Sequence, residues 1–199
     1  MNPKSRPDAI KNKLVFLKQF LARPSEVASI LPSSSELVEK LVGEFPYNTL
    51  RVAVEYGPGT GAITDELLKV LPEGAHYVGA EPNPIFREHL RDIYPNLELI
   101  PDYAQNIADV VLEKYGAVDF IVSGLPCSVI PLPVLNDLFK STHKMLRPGG
   151  EFRMFVYTHT LLLPKMHKMM DLLQHQFTSV QTNIVWKNMP PATLIRCVK

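Results

Sequence analysis

Short apolar runs alternate along the chain with longer segments in which apolar residues recur every three or four positions. The first pattern is typical of buried strands, and the second of helices with one buried face. After residue 50 the two kinds of segment alternate, which predicts a parallel sheet with helices on both faces. The predicted strands cover residues 52–55, 76–81, 97–100, 118–123, 151–157, 179–186 and 193–198, and the predicted helices cover 36–41, 62–71, 84–93, 104–114, 135–146 and 165–176.

Only the six residues KNMPPA, at 187–192, separate the last two predicted strands. This link is too short for the crossover that joins parallel strands, so we expect an antiparallel hairpin at one end of the sheet. The sequence RPGG, at 147–150, is expected to stop the preceding helix. The prediction is therefore an α/β fold: a three-layer, Rossmann-like, seven-stranded sheet, mostly parallel and closed by a C-terminal antiparallel hairpin.

One more helix is predicted over residues 9–22, ahead of the alternating part. It carries an apolar stripe flanked by lysines, which makes it amphipathic. Such a helix either covers the core of its own domain or lies on anionic lipid or nucleic acid, and the pattern leaves both open. We assign residues 1–46 to an N-terminal helical extension that docks on a membrane or forms a lid over the substrate that accepts the transferred group. Residues 47–199 form the main domain. The apolar positions are Ile10, Leu14, Phe16, Leu17, Phe20 and Leu21.

Composition limits the class of protein. A chain of 199 residues with 46% hydrophobic and 21% charged residues fits one globular domain, and no apolar segment approaches the roughly 20 residues needed to span a bilayer. Cys127 and Cys197 lie far apart, so neither a disulfide framework nor a metal site is expected, and a cytoplasmic location is the default. The net charge is +1, but residues 1–23 contain six basic residues and one acid, a net +5, which leaves −4 for the rest.

The stretch EYGPGTG, at 55–61, joins the first predicted strand to the next helix. Glycines there allow positive φ and a close approach of the backbone to a ligand, while the helix start offers unpaired N–H groups. Gly57, Gly59 and Ala62 also satisfy the dinucleotide pattern G-x-G-x-x-A, with an acid at Glu81. The C-terminal hairpin makes that dinucleotide interpretation a minor alternative, because dehydrogenases do not usually end in this way.

The loop SGLPCSVIPLP follows the fourth predicted strand and is expected to line an acceptor site, because ligands of open α/β sheets lie at the carboxyl ends of the strands. Enzymes that methylate nucleobase amines carry N-(I/L/P)-P-(Y/F) there, whereas this chain has Gly124 for the Asn and Cys127 for the aromatic residue. That difference weakens a nucleic-acid acceptor. A nucleophilic role for Cys127 is also disfavoured, since no further motif supports it, and a buried thiol is expected.

Several strings together resemble one family, the bacterial phospholipid N-methyltransferases of the soluble type. They are FLKQFLARPSEVASILPSS, VEYGPGTGAIT, VGAEPNPIFREHL, DFIVSGLP, LRPGGEFRMFVYT and WKNMPPATLIR, and they run in order across nearly the whole chain. The resemblance implies S-adenosylmethionine (SAM) as methyl donor, S-adenosylhomocysteine as product, and phosphatidylethanolamine and its methylated intermediates as acceptors. It also implies action at the inner face of the cell membrane, on an anionic phospholipid surface, with no nucleic acid and no obligate protein partner.

The resemblance assigns residues by position. The acids Glu81 and Asp102 follow the second and third strands, where the family binds ribose and adenine. Acceptor contacts are expected after the fourth strand, with Arg153 as a cation for a lipid phosphate. The donor contacts implied are Glu55, Gly57, Gly59, Thr60, Gly61, Glu81, Pro82, Asp102, Tyr103 and Ser123, and the acceptor contacts are Gly124, Leu125, Pro126 and Arg153.

Methyl transfer to an amine requires a group that takes a proton, and Tyr157 and His159, at the end of the fifth strand, are the catalytic candidates. In this segment the chain departs from the family, with VYTHT where FTYGP is expected. Two alternatives stay open: a nucleic-acid methyltransferase related to the rRNA dimethyladenosine enzymes, and a SAM-fold binding protein without turnover.

Overall fold

The structure is a computed structural model and describes residues 35–199. Six helices, seven strands and three 3₁₀ turns make up this part of the chain. The strands are β1 (Val52–Tyr56), β2 (His76–Ala80), β3 (Leu99–Ile100), β4 (Val118–Ser123), β5 (Leu146–Tyr157), β6 (Ser179–Val185) and β7 (Ala192–Val198). The helices are α1 (Ser35–Val42), α2 (Ala62–Val70), α3 (Pro84–Ile93), α4 (Ala108–Tyr115), α5 (Leu132–Met145) and α6 (Pro164–Gln176), with 3₁₀ turns at Tyr47–Thr49, Ala104–Asn106 and Thr158–Leu162.

All seven strands lie in one sheet, in the order β3-β2-β1-β4-β5-β7-β6. The first five are parallel to their neighbours, whereas β7 runs antiparallel between β5 and β6. The predicted fold and its C-terminal hairpin are confirmed. Strand order reverses between β1 and β4, which is where open α/β sheets bind their ligands.

Alternating side chains of the strands build two cores, one on each face of the sheet. Val54 of β1 and Ile121 of β4 face a core formed with α4, α5 and α6. Ala53 and Phe120, one position away, face a second core formed with α1, α2 and α3. Because β1 and β4 are buried along their whole length, they are mostly apolar and do not alternate between apolar and polar residues, although each includes one buried acid, Glu55 or Asp119.

The helix α1 packs into the second core, although the sequence assigned it to the N-terminal extension. Its residues Leu41 and Val42 lie in the same apolar cluster as Leu67 of α2 and Phe120 of β4. The remainder of the predicted extension, residues 1–34 with the amphipathic helix at 9–22, lies outside the described residues. Within residues 35–199, no helix combines the length and apolar character needed to cross a membrane.

The helix before RPGG ends within one residue of the predicted position, but RPGG itself has a second role. The helix α5 already ends at Met145, and β5 begins at Leu146, so RPGG belongs to the strand. Leu146 pairs with Val118, and the register then shifts before Glu151 pairs with Phe120. The glycines therefore form an irregularity within β5, which is a known use of glycine in strands.

Candidate active site

The glycine turn, residues 57–61, links the end of β1 to the start of α2. Gly59 has φ +56° and Gly61 has φ +92°, the left-handed region that side chains with a Cβ avoid. The Gly61 amide donates to the Pro58 carbonyl at 2.9 Å, which closes the turn. A Cβ built on Gly59 meets only the Gly57 carbonyl oxygen, at 3.8 Å, so there is open space beside this glycine. The turn thus presents backbone and free volume at the N-terminus of α2, as an anionic or polar ligand requires.

Glu81 follows β2 and lies against the glycine turn. Its Oε2 accepts a hydrogen bond from the Gly59 amide at 3.1 Å, and its Oε1 accepts one from the Asn83 amide at 2.9 Å. The side chain is buried, and this burial raises the pKa of its carboxyl although the two amides oppose the shift. The structure therefore brings together two residues predicted to bind the methyl donor, Gly59 after β1 and Glu81 after β2.

Glu55 is the penultimate residue of β1 and is completely buried. Its Oε2 accepts hydrogen bonds from the hydroxyls of Thr64, at 2.8 Å, and Tyr77, at 2.7 Å. Burial raises the pKa of Glu55 to about 7, against the opposing effect of these two bonds. The other oxygen, Oε1, has no hydrogen-bond partner among residues 35–199. A buried orphan acceptor is the kind of group that a donor on a bound ligand or water satisfies.

Asp102 and Tyr103 follow β3 at the same edge of the sheet. Asp102 Oδ1 accepts hydrogen bonds from the Tyr103 amide at 2.6 Å and from Asn106 Nδ2 at 2.9 Å, so this oxygen stabilises the turn. Asp102 is half-buried and Tyr103 is exposed. They are therefore accessible at the edge where the family binds adenine, and their donor role stays a prediction.

The loop after β4, residues 124–131, packs against the glycine turn. The Gly124 amide donates to the Tyr56 carbonyl at 3.0 Å, and a Cβ built on Gly124 would lie 3.3 Å from the Gly57 carbonyl oxygen. Ser123 Oγ accepts the Leu125 amide at 3.2 Å, and a carbon of the Leu125 side chain would lie 2.8 Å from a Cβ on Gly57. The residues predicted to contact the methyl donor therefore lie directly against those predicted to contact the methyl acceptor.

Cys127 in this loop is a buried thiol, as expected. It belongs to the core packed against α5 and α6, and burial raises its pKa to about 12. Such a thiol is almost entirely protonated at neutral pH and is a poor nucleophile. Because the side chain faces the core, it also cannot stack on a base in the way that an aromatic residue would.

Tyr157 and His159 form an aromatic pair at the carboxyl end of β5. Their ring centroids are 6.0 Å apart and the rings are nearly parallel, at 13°. Burial raises the pKa of Tyr157 above its ordinary value of 10, so the phenol keeps its proton at neutral pH and does not serve as a base. His159 is exposed and is the remaining candidate for proton transfer.

The structure does not support the prediction that Arg153 binds a substrate phosphate. The guanidinium is buried and donates to Glu151 Oε2 from Nε, at 3.0 Å, and from Nη2, at 2.8 Å. It also donates to three backbone carbonyls at the end of α1. These are five hydrogen bonds to four acceptor atoms, and they use all five N–H groups of the guanidinium, so nothing is left for a ligand. The carbonyls belong to Leu41, Gly43 and Glu44.

The sequence did not identify Thr64 and Tyr77 as site residues. Tyr77 offered one weak signal, a hydroxyl within the otherwise apolar strand HYVGA, and Thr64 none. Thr60, Pro82, Leu125 and Pro126 lie in the loops described above, where their predicted contacts remain predictions. Across residues 35–199, no group of three or more histidine, cysteine or acidic side chains is arranged to hold a metal ion.

Comparisons with known proteins agree with this geometry. Residues 54–154 match the family model described as a methyltransferase domain. The chain is 31% identical over 147 residues to an ornithine lipid N-methyltransferase of Singulisphaera acidiphila, covering 72% of this chain and 77% of that protein. It is 29% identical to a ribosomal RNA small subunit methyltransferase A of a Sulfurihydrogenibium species, over 54% of this chain and 42% of that protein.

Solved structures share the fold. An O-methyltransferase from Bacillus cereus, in complex with S-adenosylhomocysteine, superimposes with a TM-score of 0.68 over 92% of this chain and 90% of that chain, at 15% identity. Fibrillarin from Aeropyrum pernix, with bound SAM, gives a TM-score of 0.62 over 83% of this chain and 79% of that chain, also at 15% identity.

SAM fits the residues that are present. The open space at Gly59 leaves room for the ligand beside the turn. The Glu81 carboxylate can accept hydrogen bonds from ligand hydroxyls, and Glu55 Oε1 can accept one from a further N–H or O–H group. The family match, the similarity to the lipid N-methyltransferase and these features of the turn point to the same donor. The chain belongs to the methyltransferase domain family and is a class I SAM-dependent methyltransferase.

Proposed function

We propose that this enzyme methylates the amine of a membrane lipid headgroup, with phosphatidylethanolamine and its methylated intermediates as acceptors. The observation that carries a lipid amine as acceptor is the 31% identity to an ornithine lipid N-methyltransferase over most of both chains. The choice of phosphatidylethanolamine rests on the resemblance of the sequence motifs to the phospholipid enzymes. Ornithine lipid is accordingly the second candidate acceptor. Both candidates present an amine at the polar end of a lipid, so the same site chemistry serves either one.

The acceptor loop supports a lipid amine over a nucleobase. A nucleobase amine methyltransferase needs an amide side chain to orient the exocyclic amine and an aromatic ring to stack on the base. Gly124 has no side chain, and Cys127 is buried in the core. The similarity to the ribosomal RNA enzyme also covers a shorter part of the chain than the similarity to the lipid enzyme.

The residues of this chain position the two substrates and accept the one proton that the amine loses. When bound, SAM supplies an electrophilic methyl carbon on a sulfonium, which the lone pair of an amine attacks. Glu81, Asp102 and the glycine turn would hold the donor, and the adjoining loop at 124–131 would hold the acceptor. Because no large new charge develops, most of the rate gain comes from orientation. His159 would take the proton that the amine must lose before or after transfer.

We place the enzyme at the inner face of the cell membrane. Residues 1–23 carry a net charge of +5, and each basic residue near an anionic surface contributes about 1 kcal/mol. That attraction is sufficient for reversible docking with help from apolar side chains. Deletion of residues 1–23 is expected to lower flotation with anionic vesicles while SAM affinity is retained.

The function is tested with methyl-labelled SAM and four acceptors offered separately. These are vesicles containing phosphatidylethanolamine, vesicles containing ornithine lipid, vesicles of phosphatidylcholine and phosphatidylglycerol alone, and small-subunit ribosomal RNA. We expect label in the first acceptor, with stepwise methylated products. Label in ornithine lipid alone would move the acceptor to that lipid. Label in RNA and none in any lipid would overturn the proposal.

A further inference from the structure

Five large apolar side chains are exposed on three segments at the carboxyl edge of the sheet, which we name the apolar rim. One is in the loop after β4, two follow β5, and two are in the turn between β6 and β7. Exposed apolar residues gathered on neighbouring loops mark interaction surfaces more often than scattered ones do. Their exposures are Val129 53%, Leu162 81%, Leu163 47%, Trp186 71% and Met189 86%.

Hydrogen bonds join the three segments to each other. Lys165 Nζ, at the start of α6, donates to the Ser128 carbonyl at 2.9 Å, which joins the segment after β5 to the loop after β4. The Thr158 amide donates to the Pro191 carbonyl at 2.9 Å, which joins the segment after β5 to the β6–β7 turn. The loop after β4, which carries Val129, also packs on the glycine turn, so one segment of the apolar rim adjoins the predicted donor site.

The first turn of α1 packs at the same edge. Leu37, in the first turn of α1, packs against Val185 and Ala192, the residues that flank the β6–β7 turn. Residues 1–23, which carry a net charge of +5, precede α1 in the sequence. Lys187, next to Trp186, has a side chain that is 83% exposed and pairs with Glu36 at 3.5 Å. Lys187 thus adds an exposed basic group next to the apolar rim.

We propose that the apolar rim is the surface by which the folded domain lies on the lipid bilayer, so that headgroups enter the acceptor site from the membrane without leaving it. This rests on the proposed lipid acceptor. Trp186 suits such a surface because its indole combines an apolar body with a polar N–H, a combination that favours the headgroup region. Leu162 and Met189 would insert beside it, and the basic groups complement an anionic surface.

Trp186 makes the test direct, because it is the single tryptophan of the chain. The full chain is mixed with vesicles of phosphatidylcholine and phosphatidylglycerol that contain no amine acceptor. We expect the Trp186 emission maximum to shift to shorter wavelength, and lipids carrying a doxyl group near the headgroup to quench it. Flotation that proceeds without any shift or quenching would overturn the proposal.

A second outcome concerns the chain itself. If residues 1–34 cover the apolar rim, Trp186 emission without vesicles will already lie at short wavelength and resist acrylamide, and adding vesicles will not change it. That result would also overturn the proposal. Strong acrylamide quenching without vesicles, together with protection when they are added, is the expected pattern.

A matched pair of variants separates the apolar rim from general hydrophobicity. Leu162→Asp places a charge on the rim, whereas Ile93→Asp places one on an exposed apolar residue, 48% exposed, at the opposite edge, where α3 ends. We expect Leu162→Asp to lower the vesicle-bound fraction several-fold and Ile93→Asp to leave it unchanged. Equal effects would contradict the proposal.

Methylation of detergent-dispersed phosphatidylethanolamine keeps this test apart from that of the function. Leu162→Asp should retain that activity. If the unaltered protein methylates no lipid in any form, the proposed function fails, whatever Trp186 reports.

Discussion

The Gly59 amide donates a hydrogen bond to Glu81 Oε2 at 3.1 Å, which ties the turn after β1 to the acid after β2. These two residues are 22 positions apart, and the parallel pairing of β1 with β2 brings them to one edge. The contact places a carboxylate beside a backbone segment that has free space next to it. A ligand with hydroxyl groups can use the remaining acceptor capacity of that carboxylate.

Replacing Glu81 should weaken SAM binding. Glu81→Ala removes a charged acceptor, and hydrogen bonds to charged groups contribute about 1.5–3 kcal/mol, so we expect a loss of roughly ten-fold to a hundred-fold in affinity. Calorimetric titration with SAM measures it. Glu73→Ala, at an exposed turn position, is the matched control and should bind SAM normally. Unchanged affinity in Glu81→Ala would remove this residue from the donor site.

Two glycine substitutions separate backbone strain from a role in the site. Gly59 and Gly74 both have positive φ, +56° and +81°, so Gly59→Ala and Gly74→Ala should each lower stability by about 1 kcal/mol. A Cβ on Gly74 meets no atom within 4 Å, and this glycine lies at the opposite edge, before β2. Only Gly59→Ala is expected to reduce SAM affinity. Parallel melting curves and titrations test this, and equal SAM affinities would contradict it.

The buried carboxyl of Glu55 should make stability depend on pH. Its pKa is raised from 4.5 to about 7, so the folded protein retains between these values a proton that the unfolded chain releases. This contribution is fully present below pH 4.5 and is lost as the pH rises through 7, by roughly 3 kcal/mol in total.

Glu55→Gln has no such proton and should lack that part of the pH dependence. Urea unfolding of both proteins without SAM, at about pH 5 and about pH 8, gives the change in the free energy of unfolding with pH for each protein. The two changes are then compared. Glutamine can still accept the hydrogen bonds of Thr64 and Tyr77, so the variant should fold. Identical pH dependence in the two proteins would show that the carboxyl titrates normally.

Arg153 should matter for stability and not for ligand binding. Arg153→Met leaves the terminal carbonyls of α1 without donors and removes one partner of the buried Glu151, which predicts a loss of about 3 kcal/mol or more. Arg91→Met, at an exposed position of α3, should cost little. Denaturant unfolding compares the two. A stable Arg153→Met with impaired methylation would restore the acceptor role that the geometry argues against.

The two candidates at the end of β5 should respond differently. Tyr157→Phe removes a hydroxyl that stays protonated, so kcat should change little. His159→Gln removes the proton acceptor and should lower kcat by roughly 100-fold with little change in KM, because general-base catalysis contributes about that much. A larger loss in Tyr157→Phe would reverse the assignment.

The sequence was sufficient to predict which residues of the site follow the carboxyl ends of the strands. Glu81 and the glycine turn could be placed in one site because they follow successive strands of a parallel sheet, whose carboxyl ends share an edge. The role of Arg153 could not be predicted, because its partners at Gly43 and Glu44 lie about 110 residues away in sequence. The same holds for Thr64 and Tyr77, which meet Glu55 only once α2 and β2 pack against β1.

By itself the sequence determined the order of strands and helices, the C-terminal hairpin and the position of the glycine turn, because hydrophobic period, glycine spacing and link length act locally along the chain. The tertiary structure alone decided which polar groups are buried and by what they are satisfied. The Arg153 guanidinium is bound by Glu151 and by carbonyls at the end of α1, the Glu55 carboxyl is buried against Thr64 and Tyr77, and Trp186 is exposed. These outcomes depend on distant segments meeting, and burial is a property of the packed molecule.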